Sequence, residues 1–253
     1  MSNTPYTSSF YKTYQQESQG SARGVLPHVL RLFSPMSVVD IGCGVGTWLS
    51  VFTELGVPRT LGVDGAYVDQ DQLLIDRKAF RSHDLATPLR LDEGFDLAVS
   101  LEVAEHIVAA SANTFVESLT RAAPLVMFSA AIPHQGGGGG DHVNEQWPEY
   151  WVERFATLGY VAYDCIRQLV WDDPTVAYYY AQNTFIFVDK RKVAGYPVLS
   201  SMPPASGALA RVHPRRWLEA NDPRRQRLPP LVQALPHSIS NAVKLRVRRT
   251  LGK

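Results

Sequence analysis

Five residues in two short stretches carry side chains able to move protons or hold a metal ion. The stretch Glu102-Val103-Ala104-Glu105-His106 sets two carboxylates and an imidazole at i, i+3 and i+4, positions that share one face of a helix. Oxygen and nitrogen ligands in that arrangement suit a hard or borderline divalent cation. Acidic residues at a helix N-terminus also compensate the helix dipole, which is the competing structural reading. His134 and His142 flank five consecutive glycines, residues 136–140, in the run Ile132-Pro133-His134-Gln135 to His142-Val143-Asn144-Glu145-Gln146-Trp147. An imidazole titrates near pH ~6.5 and can take a proton from a hydroxyl. His142 is therefore a candidate general base or fourth metal ligand, and His134 is the rival base. His142 could instead brace the helix that follows. Asn144 and Glu145 fit either a polyol-orienting role or a helix cap and first-turn charge.

A second signal is Asp40-Ile41-Gly42-Cys43-Gly44-Val45-Gly46-Thr47. Its glycines let a ligand come close to the backbone at the start of a helix. The spacing is D-x-G-x-G-x-G. A dinucleotide fingerprint counted from Gly42 would need glycine where Thr47 stands, so a dehydrogenase is disfavoured.

The elements that must position these residues alternate between β-branched apolar runs and helical patterns. Strands are expected at 37–41, 60–64, 79–83, 95–100, 125–129, 160–169 and 184–188, and helices at 47–55, 104–121 and 147–158. The polar stretch 11–23 reads as preceding the first helix. This is an α/β chain with a doubly wound, seven-stranded, mostly parallel sheet, which binds ligands beyond the carboxyl ends of its strands. Between the last two strands, residues 171–183 are dense in aromatics that fit sugar or ring stacking, a lid, or a homodimer contact.

With the motifs set in this order, residues 20–190 resemble the class I S-adenosylmethionine (SAM) methyltransferases, a Rossmann-like family. The resemblance implies a cofactor site at Asp40, Gly42, Gly44 and Gly46. Asp64, ending the second strand, would accept the two ribose hydroxyls. Asp84 would read the adenine amino group, Leu85 would offer an amide, and Leu101 would lie beside the cofactor. S-adenosylhomocysteine would be the product. The E-x-x-E-H stretch is similar to the metal-binding motif of ubiquinone-pathway O-methyltransferases and of the enzymes that methylate 2′-hydroxyls at small-RNA 3′ ends. It implies Mg²⁺ or Mn²⁺ held by Glu102, Glu105, His106 and His142. Metal-free relatives carry D-x-L-E-H at this point. The H-V-N-E-Q-W segment resembles bacterial methyltransferases of glycan and secondary-metabolite pathways, although the five-glycine run is longer than expected there.

Composition narrows the rest. A chain of 253 residues, 45% hydrophobic and 19% charged, can bury a full core, which excludes a disordered or fibrous polymer. It has no run of about 18 apolar residues for a membrane span and no apolar leader, so a soluble, cytoplasmic protein is expected. Cys43 and Cys165 alone give neither a disulfide framework nor a zinc pattern. Residues 196–253 carry eleven Lys/Arg against Glu219 and Asp222, a net +9, while residues 1–195 carry fourteen against twenty-two, a net −8. The chain is accordingly divided into a methyltransferase domain, 1–195, and a basic, Pro-rich extension, 196–253.

The reading that follows is a SAM-dependent O-methyltransferase acting on a small-molecule hydroxyl, a sugar such as a mannoside, with a divalent cation. Phenolic, phosphonate or carboxylate acceptors and an RNA 2′-hydroxyl are the alternatives. The acidic body argues against nucleic acid. A non-catalytic SAM-fold protein that docks its basic tail on an acidic partner or a membrane surface is the alternative of another class.

Overall fold

The structure, a computed structural model, describes residues 8–135 and 142–222. Helix α1 (Ser8–Phe33) leads into β1 (Ser37–Ile41), α2 (Thr47–Glu54), β2 (Arg59–Asp64) and β3 (Phe80–Ser82). Then come β4 (Leu97–Leu101), α3 (Ala112–Ala122), β5 (Leu125–Ser129), α4 (Pro148–Thr157) and β6 (Tyr160–Tyr163), followed by α5 (Arg167–Val170), α6 (Tyr178–Asn183), β7 (Phe185–Asp189) and α7 (Pro197–Ser200).

The seven strands form one sheet in the order β3-β2-β1-β4-β5-β7-β6. Every pairing is parallel except those of β7, which runs antiparallel to β5 and β6. Helices on both faces explain why β1, β4, β5 and β7 are buried along their whole length. Alternation divides each strand between two cores. Val38, Leu125 and Met127 join the core on the α1 and α2 side, and Val39, Ile41, Val126 and Phe128 join the one on the α3 and α4 side.

Three sequence expectations need correction. The segment 11–23 does not precede the first helix but lies within it, because Ala22, Val25, Leu26 and Val29 share one fully buried face of α1. No helix runs over 104–121; two 3₁₀ turns, Ala104–His106 and Ala109–Ser111, come first and α3 starts at Ala112. Ile107 and Val108 between them take extended backbone angles, as β-branched residues favour. The strand expected at 160–169 stops at Tyr163, and α5 follows.

The chain divides into two compact units, residues 1–213 and 214–253. The first extends past residue 195. Ala205 donates its amide to the Ala162 carbonyl at 2.8 Å, the Leu209 carbonyl accepts from Arg167 at 2.9 Å, and Leu209 and His213 are buried. In the second unit, residues 214–221 form a short helix with Trp217 and Leu218 exposed. The remaining basic residues of the tail lie outside the described residues. Among the described residues, no helix is long and apolar enough to cross a membrane.

Candidate functional site

The glycine loop leaves the carboxyl end of β1, between the ends of β2 and β4. Gly42 has φ 96°, and a Cβ there would stand 2.4 Å from Val103 Cγ2, so no larger residue fits. Gly44 has φ 54° and nothing within 4 Å of a notional Cβ, which makes it the open point of the loop. Gly46 caps α2 from the left-handed region. Asp64, 3% exposed at the end of β2, ties the loop down by accepting the Gly44 amide on Oδ2 at 2.6 Å and the Gly65 amide on Oδ1 at 2.6 Å. The Tyr67 hydroxyl also donates to Oδ1. Asp40 is buried behind the loop, where burial and then the Asp64 carboxylate push its pKa up to about 8.

Asp84 follows β3 and is exposed, with Oδ1 accepting the Ala86 amide at 3.0 Å. The His83 amide donates to the Asp64 carbonyl at 2.8 Å, which brings the ends of β2 and β3 together. Leu85 is buried beside them, and Leu101 is buried at the end of β4 in register with Ser129. The residues expected to hold the cofactor thus line one edge of the sheet.

The E-x-x-E-H stretch is positioned by a kink rather than by a helix. Glu102 has φ 56°, and its amide donates to the Ser129 carbonyl at 3.1 Å. The reversal turns Glu102 one way and the following 3₁₀ turn the other. Glu105, His106 and His142 come together, with one potential ligand atom from each all lying within 4.8 Å of one another. The two imidazoles meet edge to face at 4.8 Å. His142 is held by Nδ1, 2.8 Å from Glu145 Oε1, which leaves Nε2 for other work. Glu145 is fixed in turn by the His134 amide, 2.7 Å from Oε2, so His134 contributes to this pair through its main chain. Val143 and Asn144 both donate amides to the Glu105 carbonyl at 2.9 Å.

Glu102 does not join that trio. Its carboxylate accepts from Gln135 Nε2 at 2.6 Å and from Asn183 Nδ2 at 3.1 Å. Gln135 Oε1 accepts from Asn183 at 2.7 Å and from Gln182 at 3.1 Å. Gln182 reaches the last segment of the unit by accepting the His213 amide at 2.7 Å. Burial raises the Glu102 pKa, against the opposing pull of its hydrogen bonds from Asn183, Ser129 and Gln135. Gln135, Gln182 and Asn183 were not legible as site residues in the sequence, since only tertiary contacts bring them to this edge, and Tyr67, three residues from Asp64, carried no motif of its own.

The donor set fits a divalent cation. Glu105 is 1% exposed, and its Oε2 has no hydrogen-bond partner. Burial, and then the Glu102 charge, raise its pKa well above the carboxylate range. A buried carboxylate that leaves one oxygen unsatisfied and approaches two imidazoles is a costly arrangement that a cation would compensate. Asn144 Nδ2, also buried, lacks a partner nearby. The five glycines and Asp141 lie outside the described residues. Two clefts of about 460 and 560 Å³ open at the amino ends of the parallel strands, the first also lined by Asp189 at the carboxyl end of the antiparallel β7, and no motif residue lines either.

Comparison with known proteins places the chain in a family. The chain is 33% identical over 89 residues to the ubiquinone biosynthesis O-methyltransferase of Rhodopseudomonas palustris (strain BisB18). The match spans 31% of this chain and 32% of that enzyme, about a third of its length. A sugar N-methyltransferase from a Streptoalloteichus species superposes with a TM-score of 0.54 at 14% identity, covering 74% of this chain and 97% of that one. A SAM-bound amino pentose methyltransferase from Micromonospora echinaspora, involved in calicheamicin biosynthesis, gives 0.51 at 14% identity over 75% and 100% of the two chains. These superpositions show a common fold. Residues 14–164, more than half of the chain, match the methyltransferase-domain family, and the chain belongs to that family.

Proposed function

We propose that this enzyme is an O-methyltransferase that methylates a hydroxyl of a small polyhydroxylated acceptor, a sugar, with Glu105, His106 and His142 holding a divalent cation, Mg²⁺ or Mn²⁺. The observation that carries the reading is the buried Glu105 carboxylate, with one oxygen unsatisfied, clustered with two histidines at the edge of the sheet that bears the glycine loop. Bound SAM supplies an electrophilic methyl group. A cation in the trio supplies positive charge that acidifies a nearby hydroxyl. The protein's part is alignment: the Asp64-braced loop on one side and the His142–Glu145 pair on the other fix the two reactants relative to each other.

The Nε2 lone pair of His142 can ligate a cation or accept the acceptor's proton, but not both at once. If His142 is a ligand, the acidified hydroxyl loses its proton to water or to His134. Without a cation, His142 is the base, with Glu145 stabilising the imidazolium. A polyol suits the neighbouring groups, because Asn144 Nδ2 and Gln146 can serve hydroxyls and the exposed Trp147 ring can stack on a sugar face. The second reading is a phenolic acceptor, favoured by the stretch shared with the ubiquinone-pathway enzyme.

The test is a mass-spectrometric screen for a one-CH₂ gain across sugar, phenol and RNA pools, run with Mg²⁺ or Mn²⁺ and again with chelator. Sugar products that vanish on chelation, while SAM affinity holds, support the proposal. Undiminished turnover in chelator removes the cation and leaves His142 as the base. Products confined to phenols or RNA remove the sugar acceptor.

A further inference from the structure

The Asp64 carboxylate already has three donors: the Gly44 amide on Oδ2, and the Gly65 amide and Tyr67 hydroxyl on Oδ1. An ionised carboxylate offers about four lone-pair positions, two on each oxygen. Oδ1 is therefore full and Oδ2 has one position left. A ribose diol brings two hydroxyls, and its bidentate docking on the carboxylate needs one position on each oxygen. One of the present donors has to leave.

The two amides are fixed. Gly65 follows Asp64 directly in the chain, and Gly44 sits in a loop closed by Gly46 N–H to the Cys43 carbonyl and by Gly42 N–H to the Val63 carbonyl. Tyr67 is the movable donor. It is 82% exposed, and its ring lies over Gly65, where a Cβ would come within 2.2 Å of the ring carbon Cε1. The bare glycine is what lets the hydroxyl reach inward. We propose that Tyr67 is a displaceable gate on the cofactor site: its hydroxyl holds the Oδ1 position that a ribose hydroxyl takes, and it swings toward solvent when SAM binds. The inference rests on the assignment of Asp64 to the ribose. A tyrosine hydroxyl titrates near pH ~10, so it remains a neutral donor at any physiological pH. The gate is then a constant competitor that sets cofactor affinity below what the bare site would give.

Calorimetric titration of the full chain with S-adenosylhomocysteine tests this in wild type, Tyr67→Phe, Asp64→Ala and the double variant. Tyr67→Phe keeps the ring and its packing on Gly65 but removes the competing donor. Water replaces part of that lost bond, so binding should tighten by about three- to tenfold. Asp64→Ala should weaken binding at least about tenfold, and in that background Tyr67→Phe should give no gain. If Tyr67→Phe binds equally or more weakly while Asp64→Ala is impaired, the gate is overturned and the ribose assignment stands. If Asp64→Ala binds like wild type, the ribose assignment fails and the gate falls with it.

Discussion

Asp40 gives the sharpest test of the electrostatics behind the glycine loop. Its carboxyl is 3% exposed, and its pKa rises from 3.8 to about 8 through burial first and Asp64 second. Between about pH 4 and 8 the folded protein therefore keeps a proton that the unfolded chain has released. Because the folded state binds more protons in that window, this group's contribution to stability is fully present below the unfolded pKa, falls as pH rises, and levels off above about pH 8. The slope is about 1.4 kcal/mol per pH unit, so a change from about pH 5.5 to 7.5 removes roughly 2.7 kcal/mol. Asp40→Asn keeps the size of the side chain and abolishes the titration. Over the same two units the variant should gain roughly 2.7 kcal/mol relative to wild type, equivalent to roughly 5–10 °C in melting midpoint for a unit of this size. The assay is a set of thermal melts of cofactor-free protein across pH at fixed ionic strength. Glu102 and Glu105 also have raised pKa values but titrate in both proteins, so they cancel in the difference. Two midpoints that run parallel across this range would refute the argument, because Asp40 would then be ionised in the fold.

Glu102 and Glu105 should respond oppositely to the same isosteric change. Glu102→Gln sets an amide NH₂ against one of the two donors, Gln135 or Asn183, so it should lower stability by about 1–3 kcal/mol in melts while Mn²⁺ binding persists. Glu105→Gln should abolish Mn²⁺ binding, read by calorimetry, with no loss of stability. A chain ending at Pro204 takes the Leu209 carbonyl from the Arg167 guanidinium, which keeps Asp164 and the Gln182 carbonyl, and takes the His213 amide from the Gln182 side-chain oxygen; each lost partner is worth about 1–3 kcal/mol when buried, and the chain should melt below one ending at His213. Equal midpoints would contradict that account. Asp84→Ala should weaken SAM binding less than Asp64→Ala, since it offers a single exposed contact; a larger loss would reverse the two roles.

The sheet was legible because each strand carries its own signal. The run Ser37-Val38-Val39-Asp40-Ile41 followed by glycines reads as a buried strand and ligand loop without reference to anything else. The same local logic failed at Glu102–His106. Positions i, i+3 and i+4 suggest a helical face, but a left-handed Glu102 and a 3₁₀ turn bring Glu105 and His106 together with His142 and divert Glu102 to Gln135 and Asn183. The β-branched pair Ile107-Val108 was the one local hint that no helix passes there. Gln135, Gln182 and Asn183 carried no signal, because hydrogen bonds between residues 33 to 81 positions apart cannot be read from neighbours in sequence. The boundary read near residue 195 followed a shift in charge and proline content. The compact unit continues to His213 because Leu199, Leu209 and His213 are buried in it.

Glu105 divides its labour between main chain and side chain. Its carbonyl accepts the Val143 and Asn144 amides whatever side chain the residue carries, while its carboxylate is buried with one oxygen unsatisfied. The fold therefore depends on the position and not on the acid. Losing the carboxylate would keep the tie and relieve a desolvation cost, so a lineage selected only for thermal robustness would discard it. Under the cation role proposed above, a single substitution at Glu105 would exchange that chemistry for robustness.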